Sequence, residues 1–172
     1  MFFNNLPGDL LTDKILSENS TNTKTCLVYQ PFLGDVEDME GLDIKSEKFE
    51  ITDNEALILN GNVVIDFPDG ILEAGKARVD RKNGTVEFKK NGDLFLKDYF
   101  FRAKEGFFNK KDRSLELYSG EAYLNDRNLI LAFEELKGNL EDKIILKQVS
   151  MTSCADPKKG WQFIAESIEL DD

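Results

Sequence analysis

Gly61-Asn62-Val63-Val64-Ile65-Asp66-Phe67-Pro68-Asp69-Gly70-Ile71-Leu72-Glu73-Ala74 spells two short strands around a turn. Val63, Ile65 and Phe67 fall on one face because strand side chains repeat with period two, and Leu72 and Ala74 do so after Pro68-Asp69-Gly70. The unit recurs. Ile71-Leu72-Glu73-Ala74, Phe100-Phe101-Arg102-Ala103, Leu129-Ile130-Leu131-Ala132 and Gln162-Phe163-Ile164-Ala165 carry a column of alanines 29, 29 and 33 residues apart. Upstream of them a second column, Gly61, Gly92 and Gly120, separates short apolar strand patterns. Repetition at this period marks a stack of strand-turn-strand units. Such a stack builds a long wall or trough rather than one deep catalytic pocket.

Asp93-Leu94-Phe95-Leu96-Lys97 repeats the phase of the first strand. Ile44 to Ile51 resembles a degenerate copy of Phe163 to Leu170. Turns are expected at Asn60-Gly61, Pro68-Asp69-Gly70, Asn83-Gly84, Asn91-Gly92 and Ser119-Gly120. Helix signals reduce to residues 9–17, where Leu10, Leu11, Ile15 and Leu16 space two turns that would be marginal alone. The expected class is therefore all-β.

The chain has 172 residues, 41% of them hydrophobic and 13 of them phenylalanine, enough for one substantial core. The expected division is an irregular N-terminal arm, residues 1–40, and one domain, residues 41–172. No apolar run is long enough for a membrane helix. The first residues lack the basic region of a signal peptide, so an export signal lies elsewhere or the chain is cytoplasmic. The net charge of -11 is uneven, since Lys76 to Arg113 holds 12 Lys/Arg against 6 Asp/Glu. That stretch is either a basic collar for an anionic headgroup or a solvated outer face. An acidic chain without an arginine stripe lacks the phosphate attraction that nucleic-acid binding needs.

Catalysis has little footing. The absence of histidine removes the commonest general base and the commonest zinc ligand. Two cysteines cannot alone make a zinc site, and Asp35, Glu37, Asp38, Glu40 and Asp43 do not have the spacing of a calcium loop. No acid pair is singled out for glycoside hydrolysis. Asn83-Gly84-Thr85 matches a glycosylation acceptor, though a hairpin turn is simpler. No enzyme, metal or cofactor is expected.

Cys26 lies in Thr25-Cys26-Leu27-Val28-Tyr29-Gln30-Pro31, outside the repeats, and Cys154 lies in Met151-Thr152-Ser153-Cys154-Ala155-Asp156-Pro157, followed by Gly160-Trp161 and the last strand. This order, from Thr25 to Asp172, resembles the N-terminal OstA-like domain of the LptD family of lipopolysaccharide-assembly proteins. The repeat alone is shared with the periplasmic proteins LptA and LptC; both cysteines with Trp161 point more narrowly to LptD. The resemblance implies a twisted, V-shaped β-jelly roll with a greasy interior, at the periplasmic face of the outer membrane. It also implies that Cys26 and Cys154 each bond to a cysteine of a barrel that follows this domain in the family, and that the chain is a fragment. In isolation the two either stay reduced or pair with each other, a bond that loop entropy values at roughly 4–5 kcal/mol.

A lipid trough lined by Val63, Ile65, Phe67, Leu72, Ala74, Leu94, Leu96, Phe101, Ala103, Leu124, Ile130 and Phe163 is the expected site; the alternative is a closed core of the same residues. The expected partners are lipopolysaccharide, the bridge protein LptA adding a strand at Ile44, Lys45, Ser46 and Glu47, and the lipoprotein LptE through the barrel. Two other functions stay open, a soluble LptA- or LptC-like bridge protein and a structural β-solenoid with a packed core.

Overall fold

The computed structural model describes residues 43–68, 70–96, 99–124, 127–154 and 160–171. Among them there is no helix. Ten strands form one antiparallel sheet: β1 (Asp43–Lys45), β2 (Lys48–Ile51), β3 (Leu57–Phe67), β4 (Gly70–Asp80), β5 (Thr85–Leu96), β6 (Tyr99–Asn109), β7 (Ser114–Leu124), β8 (Leu129–Asn139), β9 (Lys143–Thr152) and β10 (Phe163–Asp171). From β3 onward each strand pairs with the next in sequence, while β1 and β2 both pair with β3, end to end. Among the described residues, the first and last strands, the two stretches that resemble each other in sequence, are thus the two edges of the sheet.

Every long strand bends near its middle. Pairing of β3 with β4 breaks between Asn60 and Val63, that of β4 with β5 between Ala74 and Lys76, and that of β5 with β6 between Lys89 and Gly92, each with a register shift. Farther on the ladders keep register but skip Lys104, Ser119, Glu134, Gln148 and Glu166. Left-handed backbone marks this row at Gly61 (φ 78°), Asn62 (43°), Lys90 (65°), Asn91 (62°), Ser119 (51°) and Gln148 (50°). An extra residue of this kind bends a strand and strengthens its twist without ending the ladder. The bends line up into one crease that folds the sheet into a V.

The crease accounts for the period. Gly61, Lys90, Ser119 and Gln148 stand 29 residues apart, once per hairpin. It also corrects the turn assignments. Asn60-Gly61, Asn91-Gly92 and Ser119-Gly120 lie inside β3, β5 and β7, whereas Asn83-Gly84 is a true hairpin turn in which Gly84 N–H donates to the Asp80 carbonyl (2.8 Å). The Asp80 carboxylate accepts from the Asn83 backbone (3.0 Å) and amide (2.7 Å), and these bonds hold its pKa below the ordinary value.

The crease divides the sheet into two walls. Wall B holds residues 63–67, 70–74, 92–96, 99–103, 120–124, 129–133, 149–152 and 163–165; wall A holds 57–60, 76–80, 85–89, 105–109, 114–118, 135–139, 143–147 and 167–171. In β4 and in β6 to β9 the buried positions take one step off the alternation at the bend, as from Ala74 to Ala77 and from Phe133 to Leu136, whereas β3 and β5 spend two residues there and keep their phase. Both inner faces thus stay apolar, and they close on each other as one cluster. Phe88 of wall A sits against the crease, where a Cβ on Gly92 would run into its ring and one on Gly106 would lie 2.8 Å from it. Phe67 of wall B meets Phe108 of wall A with ring centroids 5.6 Å apart, closing the V at its lips.

Candidate functional site

The apolar seam between the walls runs perpendicular to the strands, from the β1/β2 edge to the β10 edge. Ten of the twelve sequence-predicted residues line it from wall B: Val63, Ile65, Phe67, Leu72, Ala74, Leu94, Leu96, Phe101, Ala103 and Leu124 are all buried in the common cluster. Ile130 and Phe163 do not join them. In β8 it is Leu131 and Phe133 that point inward, and Ile130 pairs with Tyr123 on the outer face. The crease residues Lys104 and Glu134 are 30 positions apart, not 29, so the alanine column changes face between β6 and β8. Phe163, opposite Met151 on the edge strand, is 51% exposed.

The facing wall was not read from the sequence. Leu59, Val79, Val86, Phe88, Phe108, Leu115, Leu117, Leu136, Ile144 and Leu146 form it. Their signal is an off-phase step in β4 and in β6 to β9, and a polar gap without a change of phase in β3 and β5. Apolar side chains stand exposed at both mouths of the seam. At one, Phe49 (71%) and Ile51 (63%) lie opposite Leu59 and Leu57 on the inner side of β2; at the other stands Phe163. At the lips Arg127 Nη2 donates to the Asp171 carbonyl (3.3 Å), beside a cleft of about 20 Å³ lined in part by Tyr99, Leu124, Leu140 and Leu170. The walls are in contact there, with room for about one water molecule.

The sequence-predicted partner edge lies where the crease reaches the sheet margin. Ile44 and Lys45 pair inward with Ile65 and Val64. Glu47 N–H donates to the Gly61 carbonyl (3.0 Å), its carboxylate accepts from the Asn62 amide (2.6 Å), and Ser46 Oγ bonds the Lys48 carbonyl (3.2 Å). On the far side of β1 and β2 no described strand pairs, which leaves an edge of backbone donors and acceptors.

The outer face of wall B carries a charge row. Arg102 holds Asp93 through two bonds (2.8 and 2.7 Å), and Glu121 stands directly across from Arg102. Burial pushes the Glu121 carboxyl up, with Arg102 opposing and the Asp93 charge adding to the rise. A carboxyl raised in the fold carries no net effect while it is protonated in both states, and it costs stability as pH climbs from 4.5 through the raised value. Glu121→Gln is therefore expected to raise Tm at pH 7, by roughly 1–3 °C, and to leave it unchanged at pH 3.5. Thermal melts at the two pH values check this, and a variant that melts lower at pH 7 contradicts it.

Cys154 is buried, and no described cysteine is a free thiol. Its N–H donates to Thr152 Oγ1 (3.0 Å), whose hydroxyl donates to the Trp161 carbonyl (2.6 Å), and Trp161 Nε1 donates to Ser153 Oγ (3.1 Å). Thr152, Cys154 and Trp161 thus form one knot. Cys26, the acidic run 35–40 and the possible helix at 9–17 lie outside the described residues, among which no His/Cys/Asp/Glu group could hold a metal ion. Arg81, Lys82, Lys110, Lys111 and Arg113 of the basic stretch gather on two neighbouring hairpins, tied by Lys111 Nζ donating to the Lys82 carbonyl (2.7 Å). Asp80, Asp112 and Glu141 lie among them, Glu141 paired with Arg113 (3.4 Å).

No protein-family model matches the chain. It shows distant homology to the LPS-assembly protein LptD over nearly its whole length. It is 25% identical over 96% of its residues to the protein from Idiomarina loihiensis and 24% identical over 94% to that from Shewanella oneidensis, covering 23% and 22% of their lengths. The chain thus spans under a quarter of the curated relatives it matches. Among solved structures it is similar to LptH of Pseudomonas aeruginosa, the LptA-homologous periplasmic component of a lipopolysaccharide transport device, with a TM-score of 0.53 and 10% identity over 60% of this chain and 79% of that one. The fold is the LptA-like β-jelly roll.

Proposed function

We propose that this chain is the periplasmic OstA-like domain of a lipopolysaccharide-assembly protein, and that lipid acyl chains pass along the seam between its walls. The observation that carries this reading is the seam itself: one uninterrupted apolar interior, crossing the strands from edge to edge, with apolar side chains exposed at both mouths. A twelve-carbon chain costs on the order of 10 kcal/mol to wet, at about 0.8 kcal/mol per methylene. An apolar channel avoids that cost, and because aliphatic contacts have no direction, the chain slides rather than docking at one place. The walls touch at rest, so passage requires them to part about the crease, where the left-handed residues concentrate the bend. Lipid then enters at the Phe49 and Ile51 mouth and leaves at the Phe163 mouth, toward a barrel that follows in the whole protein and holds LptE. In that protein Cys26 and Cys154 bond to cysteines of the barrel, fixing the outlet over it.

The entry edge, Ile44 to Glu47, receives a strand of the LptA bridge. Proline at Lys45 removes a backbone donor and stiffens β1 without touching the core. It is expected to weaken docking of LptA at least tenfold while the melting temperature holds; Glu47→Pro also breaks the bond to Gly61 and makes the less selective test. Docking measured by calorimetry that is unchanged in Lys45→Pro excludes this edge. The same measurement separates this function from a structural solenoid, which binds neither LptA nor lipid.

A further inference from the structure

A lipid whose acyl chains lie between the walls has one place for its polar head. The crease is closed by the strands themselves, and a phosphate drawn into the apolar interior would lose its water with no partner in return. The head therefore rides outside, along the lips of the V, while the chains move from mouth to mouth. Four hairpin tips form the lip of wall A, and their charges are sorted. Residues 52–56 hold Asp53 and Glu55 and no cation, and residues 140–142 hold Glu141 and Asp142 and no cation. Between these ends, residues 80–84 and 110–113 hold Arg81, Lys82, Lys110, Lys111 and Arg113 against Asp80 and Asp112. The middle of the lip is cationic and both ends are acidic.

The two basic tips are built as one platform. Lys110 N–H donates to the Gly84 carbonyl (3.0 Å), Lys111 Nζ donates to the Lys82 carbonyl, and the Lys111 stem lies over Gly84, where a Cβ would come within 3.0 Å of its Cγ. The acids among them are engaged locally, Asp80 by Asn83, and Asp112 by the Ser114 N–H (3.0 Å) and hydroxyl (2.7 Å). Arg81, Lys82, Lys110 and Lys111 are exposed, and no carboxylate of the described residues forms an ion pair with them. Lysines at a sheet edge discourage unwanted pairing, but these tips join β4 to β5 and β6 to β7 in the middle of the sheet, where that role does not arise. They stand beside the closing contact of the lips. Phe108, which meets Phe67 across the seam, lies two residues before Lys110, and Val79, buried inside wall A, lies two before Arg81.

Resting on the lipid path proposed above, we infer that the β4–β5 and β6–β7 tips bind the phosphorylated headgroup of the lipid in the seam, with Arg81, Lys82 and Lys110 toward its phosphate oxygens. A guanidinium offers a phosphate two parallel N–H donors, and an ammonium adds a compact charge. Exposed pairs of this kind are individually weak and are screened by salt, so the head is slowed over the middle of the lip without being locked there. The acidic tips at the two ends repel it toward that middle.

The test measures Kd of the full chain at low salt for diphosphoryl lipid A and for the same lipid stripped of its phosphates, both in a neutral detergent, by microscale thermophoresis. The parent chain is expected to prefer the phosphorylated lipid at least tenfold. In Arg81→Gln/Lys110→Gln that preference falls to twofold or less, while the affinity for the stripped lipid stays within twofold of the parent's. Lys89→Gln/Lys104→Gln, which removes the same charge from exposed positions next to the crease, keeps the preference. No preference in the parent, a preference retained in Arg81→Gln/Lys110→Gln, or equal loss in both double variants overturns the headgroup site and leaves the seam path standing. Inorganic phosphate bound as tightly as the phosphorylated lipid also overturns it. A parent chain that binds neither lipid contradicts the seam path itself, and the headgroup site with it.

Discussion

Replacing Phe88 by alanine is expected to lower the unfolding free energy by about 3–5 kcal/mol. Phe88 is among the largest fully buried side chains, and it stands where the two walls meet the crease. Gly92 and Gly106 leave the space its ring fills. The glycines cannot move in to fill the cavity, since they have no side chains to relax. A domain of this size has about 5–15 kcal/mol in all, so one substitution removes a large share of it. Phe49→Ala, at a side chain 71% exposed, is expected to change stability by no more than about 0.5 kcal/mol. Urea unfolding followed by circular dichroism compares the two. Equal losses would mean that the walls are not clamped at the crease.

The sequence disclosed the class of fold, the hairpin repeat and most of one wall, because Val63-Val64-Ile65-Asp66-Phe67 and its copies alternate strictly between a dry and a wet face. It hid the opposite wall for a physical reason. In β4 and in β6 to β9 one residue spent at the bend shifts the alternation, while in β3 and β5 two are spent and the polar residues Asn60 to Asn62 and Lys89 to Asn91 part Leu59 from Val63 and Phe88 from Leu94. Leu115 and Leu117 are in phase with each other but out of phase with Ala122 and Leu124, so a reader who trusts period two sees one strand's inner residues as two unrelated patches. The same slip misplaced Ile130. Asn-Gly and Ser-Gly pairs added to the difficulty, since left-handed residues serve hairpin turns and mid-strand bends alike.

The wet face was legible only in part. Alternation with Leu72, Ala74, Phe101 and Ala103 puts Glu73 and Arg102 outward, and both pair outward in the sheet. Nothing in the local sequence announced that Phe100 and Tyr123, on that same face, would be buried. Periodicity reports only which side a residue is on, not how closely its neighbours crowd it, as Phe95 and the Arg102 guanidinium crowd Phe100. The cysteines carried the long-range information, and they did so through spacing and resemblance rather than through any strand pattern.

Lipid passage through the seam makes the two faces of wall B chemically distinct during transport. A chain moving between the walls touches Phe67 and Phe101, which point inward, and misses Glu73 and Arg102, which lie one residue or a few residues away but point out. The most direct measurement places a photo-crosslinking residue at each of these four positions in the whole transporter and irradiates cells that are exporting lipopolysaccharide. Capture of lipopolysaccharide at Phe67 and Phe101, with at least tenfold less at Glu73 and Arg102, is the expected result. Equal capture on the two faces, or none at Phe67 and Phe101 while transport proceeds, would contradict a lipid path between the walls.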